Sequence, residues 1–448
     1  MKKGFFPKID ARLLGSWIPP FGIVCGLCAY FVSWGLLLKA GTGNGPSLFE
    51  KLAYIHTLTI GFFTLTALSI LFHVMPAFTN TPWKKEKAAR KTLPLLAAGW
   101  IGTTAFFLGG FRMVWAWGIL LVVTAIFLWG SLFFLSMGQA TGKKPPAGSP
   151  LMFFLLPASF LMGTALLGGI MGGELAAGKP AAWIQKTGIP VHMTMGLLGW
   201  LTVLLWIVSS RTQRPILGAQ SRHPGRVSLA IWLMGAGVIL IAGGKIAGNG
   251  LTLQAGFFFV VGAVLLYLAD AVGILARSSP PHPVFRAWWA TGIAGLFASA
   301  LAGIWLVLRG FPRDADIFVY LVLVGWIQPF LLGHLHQIGV RLLATLVRGP
   351  RDMTPPYQIL SGRLSWIFWA TYVMAALSGL AGVAFSDGRF LMLAGGIGIL
   401  SFILLAAHIL HMIGKCRSLG EAPGAAPALI RFPETSGAPS PNDQDNPL

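Results

Sequence analysis

The feature that most limits what this chain can become is its succession of long apolar stretches. About twelve runs of 18 or more largely apolar residues follow one another, near 17–40, 53–78, 93–111, 113–137, 151–175, 188–210, 228–248, 255–276, 287–308, 317–341, 365–385 and 390–413. Each is long enough to cross roughly 30 Å of hydrocarbon as a helix. In lipid every backbone N–H and C=O must find its partner inside the protein, and a continuous helix does this within one segment. Composition agrees: 55% of residues are hydrophobic, 10% are charged and the mean hydropathy is +0.73, whereas a soluble domain carries about 25% charged residues. The fold class expected is an all-α integral membrane protein of about twelve transmembrane helices, filling residues 1–418 and leaving no room for a separate soluble domain. Residues 419–448, rich in Pro, Ala, Ser and Asn, read as a disordered cytoplasmic tail.

A net charge of +20 raises the question of nucleic acid. Its distribution answers it. About 24 of the 33 Lys and Arg residues fall on one side of the inferred topology, including Lys2, Lys84, Lys143, Arg211, Arg277, Arg348 and Lys415. The other side receives Lys39, Lys51, Arg112, Lys179, Lys186, Lys245, Arg309, Arg313 and Arg389. This is a positive-inside bias, which assigns both termini to the cytoplasm and the protein to a bacterial cytoplasmic membrane; it is not a nucleic-acid footprint. The N-terminus shows no obvious cleavage site, so the first span is expected to be retained. Cys25 and Cys28, one turn apart, read as packing residues, and the absence of CxxCH argues against covalently attached c-type haem.

Three of the even-numbered spans share a pattern. The second reads HTLTIGFFTLTALSILFHVMPAF from His56, the sixth HMTMGLLGWLTVLLWIVSSRTQRPI from His192, and the tenth YLVLVGWIQPFLLGHLHQIGVRL from Tyr320. Their Gly–aromatic steps, Gly61-Phe62, Gly199-Trp200 and Gly325-Trp326, recur after roughly one four-helix unit, so the twelve spans form three pseudo-repeated four-helix units.

Seven of the nine histidines lie in apolar spans: His56, His73, His192, His334, His336, His408 and His411. His223 and His282 sit in polar, proline-containing loops. Ionisable residues within a membrane are functional candidates by default, and several imidazoles on several helices point to haem or metal. The repeat alignment sorts them into two layers. His56 and His192 lie near the outer end of their helices, while His73, His334, His336, His408 and His411 lie roughly 25 Å deeper at 1.5 Å rise per residue. His334 and His336, two positions apart, face opposite sides of one helix; His408 and His411 share a face. The expected pairs are His56 with His192, and His73 with His334 or His336, with His408 completing a neighbouring site. Arg341 and Arg363 are positioned to neutralise haem propionates, a task suited to guanidinium. Asp270, alone in the eighth span, is either a proton relay or a carboxylate held by a neighbouring Ser or Tyr.

The span plan, the repeat and the segment Ile55-His56-Thr57 resemble the heme–copper oxidase superfamily, with the closest likeness to cbb-type catalytic subunits and to NnrS-type membrane haem proteins linked to nitric oxide. The resemblance implies a low-spin haem ligand role for His56. His192, opening the sixth helix, matches in position a copper-ligand histidine of the oxidases and also resembles the NnrS-type histidine that precedes a Gly–x–x–Gly stretch. The chain departs from the oxidases in two places. Its seventh span, LAIWLMGAGVILIAGGKIAG, has no histidine, and His334 and His336 follow the Gly–aromatic step, with Phe318 and Tyr320 at the outer position instead. A complete copper–haem oxygen-reducing site is therefore not expected. The leading expectation is a b-type cytochrome with one or two haems. It would move electrons across the bilayer between a periplasmic carrier of the cytochrome c type and quinone or an inner-face partner, alongside other redox subunits. The alternatives are an NnrS-type haem or copper protein and a twelve-helix secondary transporter.

Overall fold

The computed structural model describes residues 18–42, 46–79, 83, 85–109, 112–140, 151–178, 181–280, 282–309, 312–340, 342–344 and 356–420. Among them are twelve long helices and no strand. In chain order they are α1 (Ile18–Gly41), α2 (Leu48–His56, a π-helical stretch Thr57–Thr64, then Leu65–Thr79), α3 (Glu86–Leu108), α4 (Arg112–Ala140), α5 (Leu151–Ala176) and α6. Helix α6 runs through Ile184–Gly188, Ile189–Met193, a π-helical Thr194–Thr202 and Val203–Leu217. Then come α7 (Pro224–Ala247), α8 (Gly250–Ala276), α9 (Pro283–Arg309) and α10, which comprises Pro312–Tyr320, a π-helical Leu321–Ile327, Gln328–His334 and Leu335–Gly339. Helices α11 (Gly362–Phe385) and α12 (Gly388–Gly420) close the order. All but α3 are individually long and apolar enough to cross a bilayer, and α3 lies along α4 to complete the set. The chain is a multi-pass membrane protein.

Local chemistry sets the boundaries. Ser47 caps α2 in a reciprocal box: the Glu50 amide donates to Ser47 Oγ and the Ser47 amide to Glu50 Oε2. Proline stands at the first position of α7 and opens α9 and α10, where its missing N–H costs nothing. Gly248, at φ +66, ends α7 in the left-handed region, and Asn249 then caps α8 by accepting from the Thr252 amide.

The three four-helix units share one plan. An outer helix (α1, α5, α9) leads to a central one (α2, α6, α10), and an antiparallel hairpin follows (α3–α4, α7–α8, α11–α12). Successive units join where α4 meets α5 and α8 meets α9, and α12 returns to α1, so the ring of helices is closed. The central helices are the most enclosed: 72%, 61% and 67% of their apolar windows are buried, against 28% to 50% elsewhere among the candidate spans. Close approach relies on residues without side chains, as expected where lipid provides no hydrophobic drive between helices. A Cβ on Gly295 would sit 1.8 Å from the Gly325 carbonyl oxygen, and one on Gly118 only 2.3 Å from the backbone of Gly102. At the seam that closes the ring, a Cβ on Gly41 would meet the Gly388 carbonyl at 2.4 Å.

Indole and hydroxyl groups link the central helices. Trp200 Nε1 donates to Thr64 Oγ1 at 3.1 Å and Trp326 Nε1 to Thr202 Oγ1 at 3.4 Å. Each acceptor lies three residues after the glycine of its own unit, and each donor follows the glycine of the next unit. In the remaining seam Phe62 and Gln328 occupy the corresponding positions, and Gln328 is buried.

Candidate haem and metal centres

Helices α2, α6 and α10 start at the same end of the bundle, here the head end, and finish at the foot end. Of the five π-helical stretches among the described residues, which include Ile184–Gly188 and Leu335–Gly339, three begin at equivalent places: directly after His56, after Met193 beside His192, and after Tyr320. A π turn carries one more residue than an α turn and recurs at functional sites. Here it separates a head-end residue from the rest of its helix.

His56 and His192 face one another across α2 and α6, with ring centres 6.2 Å apart and an interplanar angle of 27°. His56 Nδ1 lies 2.8 Å from the Leu52 carbonyl oxygen, and His192 Nδ1 lies 3.0 Å from that of Thr164 on α5. A carbonyl can only accept, so each Nδ1 carries the hydrogen and each neutral ring keeps its lone pair at Nε2. This is the second-shell arrangement that orients a metal-binding imidazole. Phe107 packs on His56 with ring centres 4.8 Å apart. The place of His192 depends on Gly168, where a Cβ would stand 2.8 Å from the imidazole Cε1. Both rings are only partly enclosed by protein.

The foot-end histidines divide sharply. His334 is buried and satisfied, with Nδ1 2.7 Å from the Phe330 carbonyl oxygen and Nε2 2.9 Å from Thr212 Oγ1 on α6. His336, two residues on, turns away toward α9, α11 and α12. Its Nδ1 lies 3.0 Å from the Leu332 carbonyl oxygen, its Nε2 has no partner, and its ring is 5.6 Å from that of His408. His408 is fully buried with neither nitrogen hydrogen-bonded. His411, one turn on, is exposed. The structure thus joins His56 to His192 and His336 to His408, and sets His334 against a threonine. His73 lies in α2, but its side chain is outside the described residues, as is Arg341. Arg363 is exposed in the first turn of α11. Asp270 is buried on α8 and accepts from Ser221 Oγ.

Sequence reasoning missed Thr164, Gly168 and Thr212. Glycine at 168 is a signal only once α5 is known to face His192, and a threonine carbonyl carries no sequence signal at all. Neither a protein-family model nor a curated protein matches this chain.

Proposed function

We propose that the chain is a b-type haem protein of the bacterial cytoplasmic membrane, its head end facing the periplasm and both termini the cytoplasm. It exchanges single electrons between a periplasmic carrier, of the cytochrome c type, and quinone in the bilayer. The observation that carries this reading is the His56–His192 pair. Two imidazoles on different helices stand at one level with their Nδ1–H groups tied to carbonyls and both Nε2 lone pairs left over. With iron–nitrogen bonds of about 2 Å, comparable to other metal–imidazole bonds, a centre-to-centre spacing of 6.2 Å suits one metal between the rings. Partial exposure of both rings fits a ligand as broad as a porphyrin. When bound, haem b supplies a one-electron iron couple. The protein holds the imidazoles in one tautomer through Leu52 and Thr164, and Phe107 and the bundle interior exclude water from one side.

The positive-inside charge bias supports the orientation. With His56 and His192 both holding the iron, no place would remain on it for a small gaseous ligand, which sets this reading apart from an NnrS-type protein linked to nitric oxide. The test is the optical spectrum of the purified protein in its reduced form. A low-spin haem b spectrum unchanged by carbon monoxide, and lost in His56→Ala and His192→Ala, is expected. A haem that shifts with carbon monoxide, or a haem content unchanged in both variants, overturns the proposal.

A further inference from the structure

The third four-helix unit contains a second pair of imidazoles whose surroundings differ from those at the head end. His336 on α10 and His408 on α12 are 4% and 0% exposed, so both rings are shut away from solvent. Trp288 and Phe368 pack on His336 with ring centres 5.7 and 5.2 Å away, and both are fully buried. Counted from the turn between Phe385 and Gly388, Ser365 on α11 is level with His408. Its hydroxyl is also buried and without a hydrogen-bond partner. Three imidazole nitrogens and one hydroxyl therefore lie unpaired at one level of the foot end. A buried polar group without a partner costs about 1–3 kcal/mol, so a cluster of them calls for an explanation.

We propose that His336 and His408 together bind one cuprous ion. The sealed, aromatic walls have no room for a porphyrin, whereas a bare ion fits between rings 5.6 Å apart at about 2 Å from each nitrogen. Charge selects the oxidation state. Among the described residues no group of three or more His, Cys, Asp or Glu side chains converges, and the buried acid Asp270 is held by Ser221 on another unit. A divalent ion between two neutral imidazoles would be a buried charge with little compensation, which is costly. A monovalent, soft d¹⁰ ion accepts two nitrogen ligands in a near-linear arrangement and loses less by leaving water. Met412, one turn beyond His408 and buried, offers a soft thioether further along the same face. His411, one turn beyond His408, is exposed. This inference does not depend on the haem reading, since it uses neither His56 nor His192.

The test is titration of the full-length protein in detergent, under reducing anaerobic conditions, with Cu(I) buffered by bicinchoninate. One equivalent of Cu(I) withheld from the chelator, with X-ray absorption showing two short nitrogen ligands, is the expected result. His336→Gln and His408→Gln should each abolish retention, while His56→Ala and His334→Ala keep it. Failure of the wild-type protein to withhold Cu(I) overturns the proposal without recourse to any variant. So does retention in both glutamine variants, or a second haem equivalent lost from them.

Discussion

A buried neutral imidazole carries one N–H that needs an acceptor and one lone pair that needs a donor or a metal. Four of the histidines described above answer the first need alike, with a backbone carbonyl at Nδ1, and differ in the second. His334 is answered by Thr212. His334→Ala is therefore expected to lower stability by about 1–3 kcal/mol through the unpaired groups it leaves, with the haem and Cu(I) binding proposed above unchanged in a metal and pigment assay. Thr212→Val should reproduce part of that loss. At the other extreme of burial, Asp387 hydrogen-bonds the exposed Arg389 side chain, which holds its carboxyl below the usual carboxylate range. A lowered folded-state pKa stabilises above the unfolded value and loses its effect as pH falls through the folded one. Arg389 is exposed and the pair lies at the surface, so Arg389→Gln should leave the melting temperature at pH 7 nearly unchanged. Depth was legible in the sequence, because repeat alignment and helical rise fix it. Lateral pairing was not. Which face of α10 meets α12 depends on how the third unit packs, so the sequence places His408 in a neighbouring site, whereas its ring meets that of His336.

At the scale of the helix, the π-helical stretches were illegible, since no residue in TLTIGFFT, TMGLLGWLT or LVLVGWI forbids an ordinary α turn. Tertiary contact selects them, and the glycines show where. Gly295 on α9 lies against Gly325 inside the π stretch of α10. Gly295→Ala must push these backbones apart, and a cost at or above the roughly 1–3 kcal/mol of an overpacked core is expected. Gly396, inside α12 with open space around its missing Cβ, is the control. Gly396→Ala should be neutral or stabilising by about 0.5–1 kcal/mol, because alanine is the better helix former. Thermal unfolding in one detergent compares the two.

For the molecule as a whole, three repeated units are legible in hydropathy and in the recurring Gly–aromatic step, because a repeated sequence pattern repeats its packing, whereas the closure of the ring by α12 against α1 is not. The cross-links at the centre were not, although every residue in them lies in the quoted segments. Trp200→Phe and Trp326→Phe each remove an indole donor and leave a buried hydroxyl, so each should cost about 1–3 kcal/mol in chemical denaturation. The losses should add approximately if the two seams are independent. A triplicated architecture is degenerate: whatever one seam can do, the other two are shaped to do, and only side chains make them different. The head-end position filled by His56 in the first unit is filled in the third by Tyr320, whose hydroxyl donates to the Ala376 carbonyl and whose ring lies where a Cβ on Gly379 would stand. The tyrosine is a plug, and the glycine beneath it marks how closely the plug is fitted. In such a molecule, exchanging one aromatic residue for another changes what a seam presents without any new backbone, so its differences are written in a few interchangeable side chains rather than in its fold.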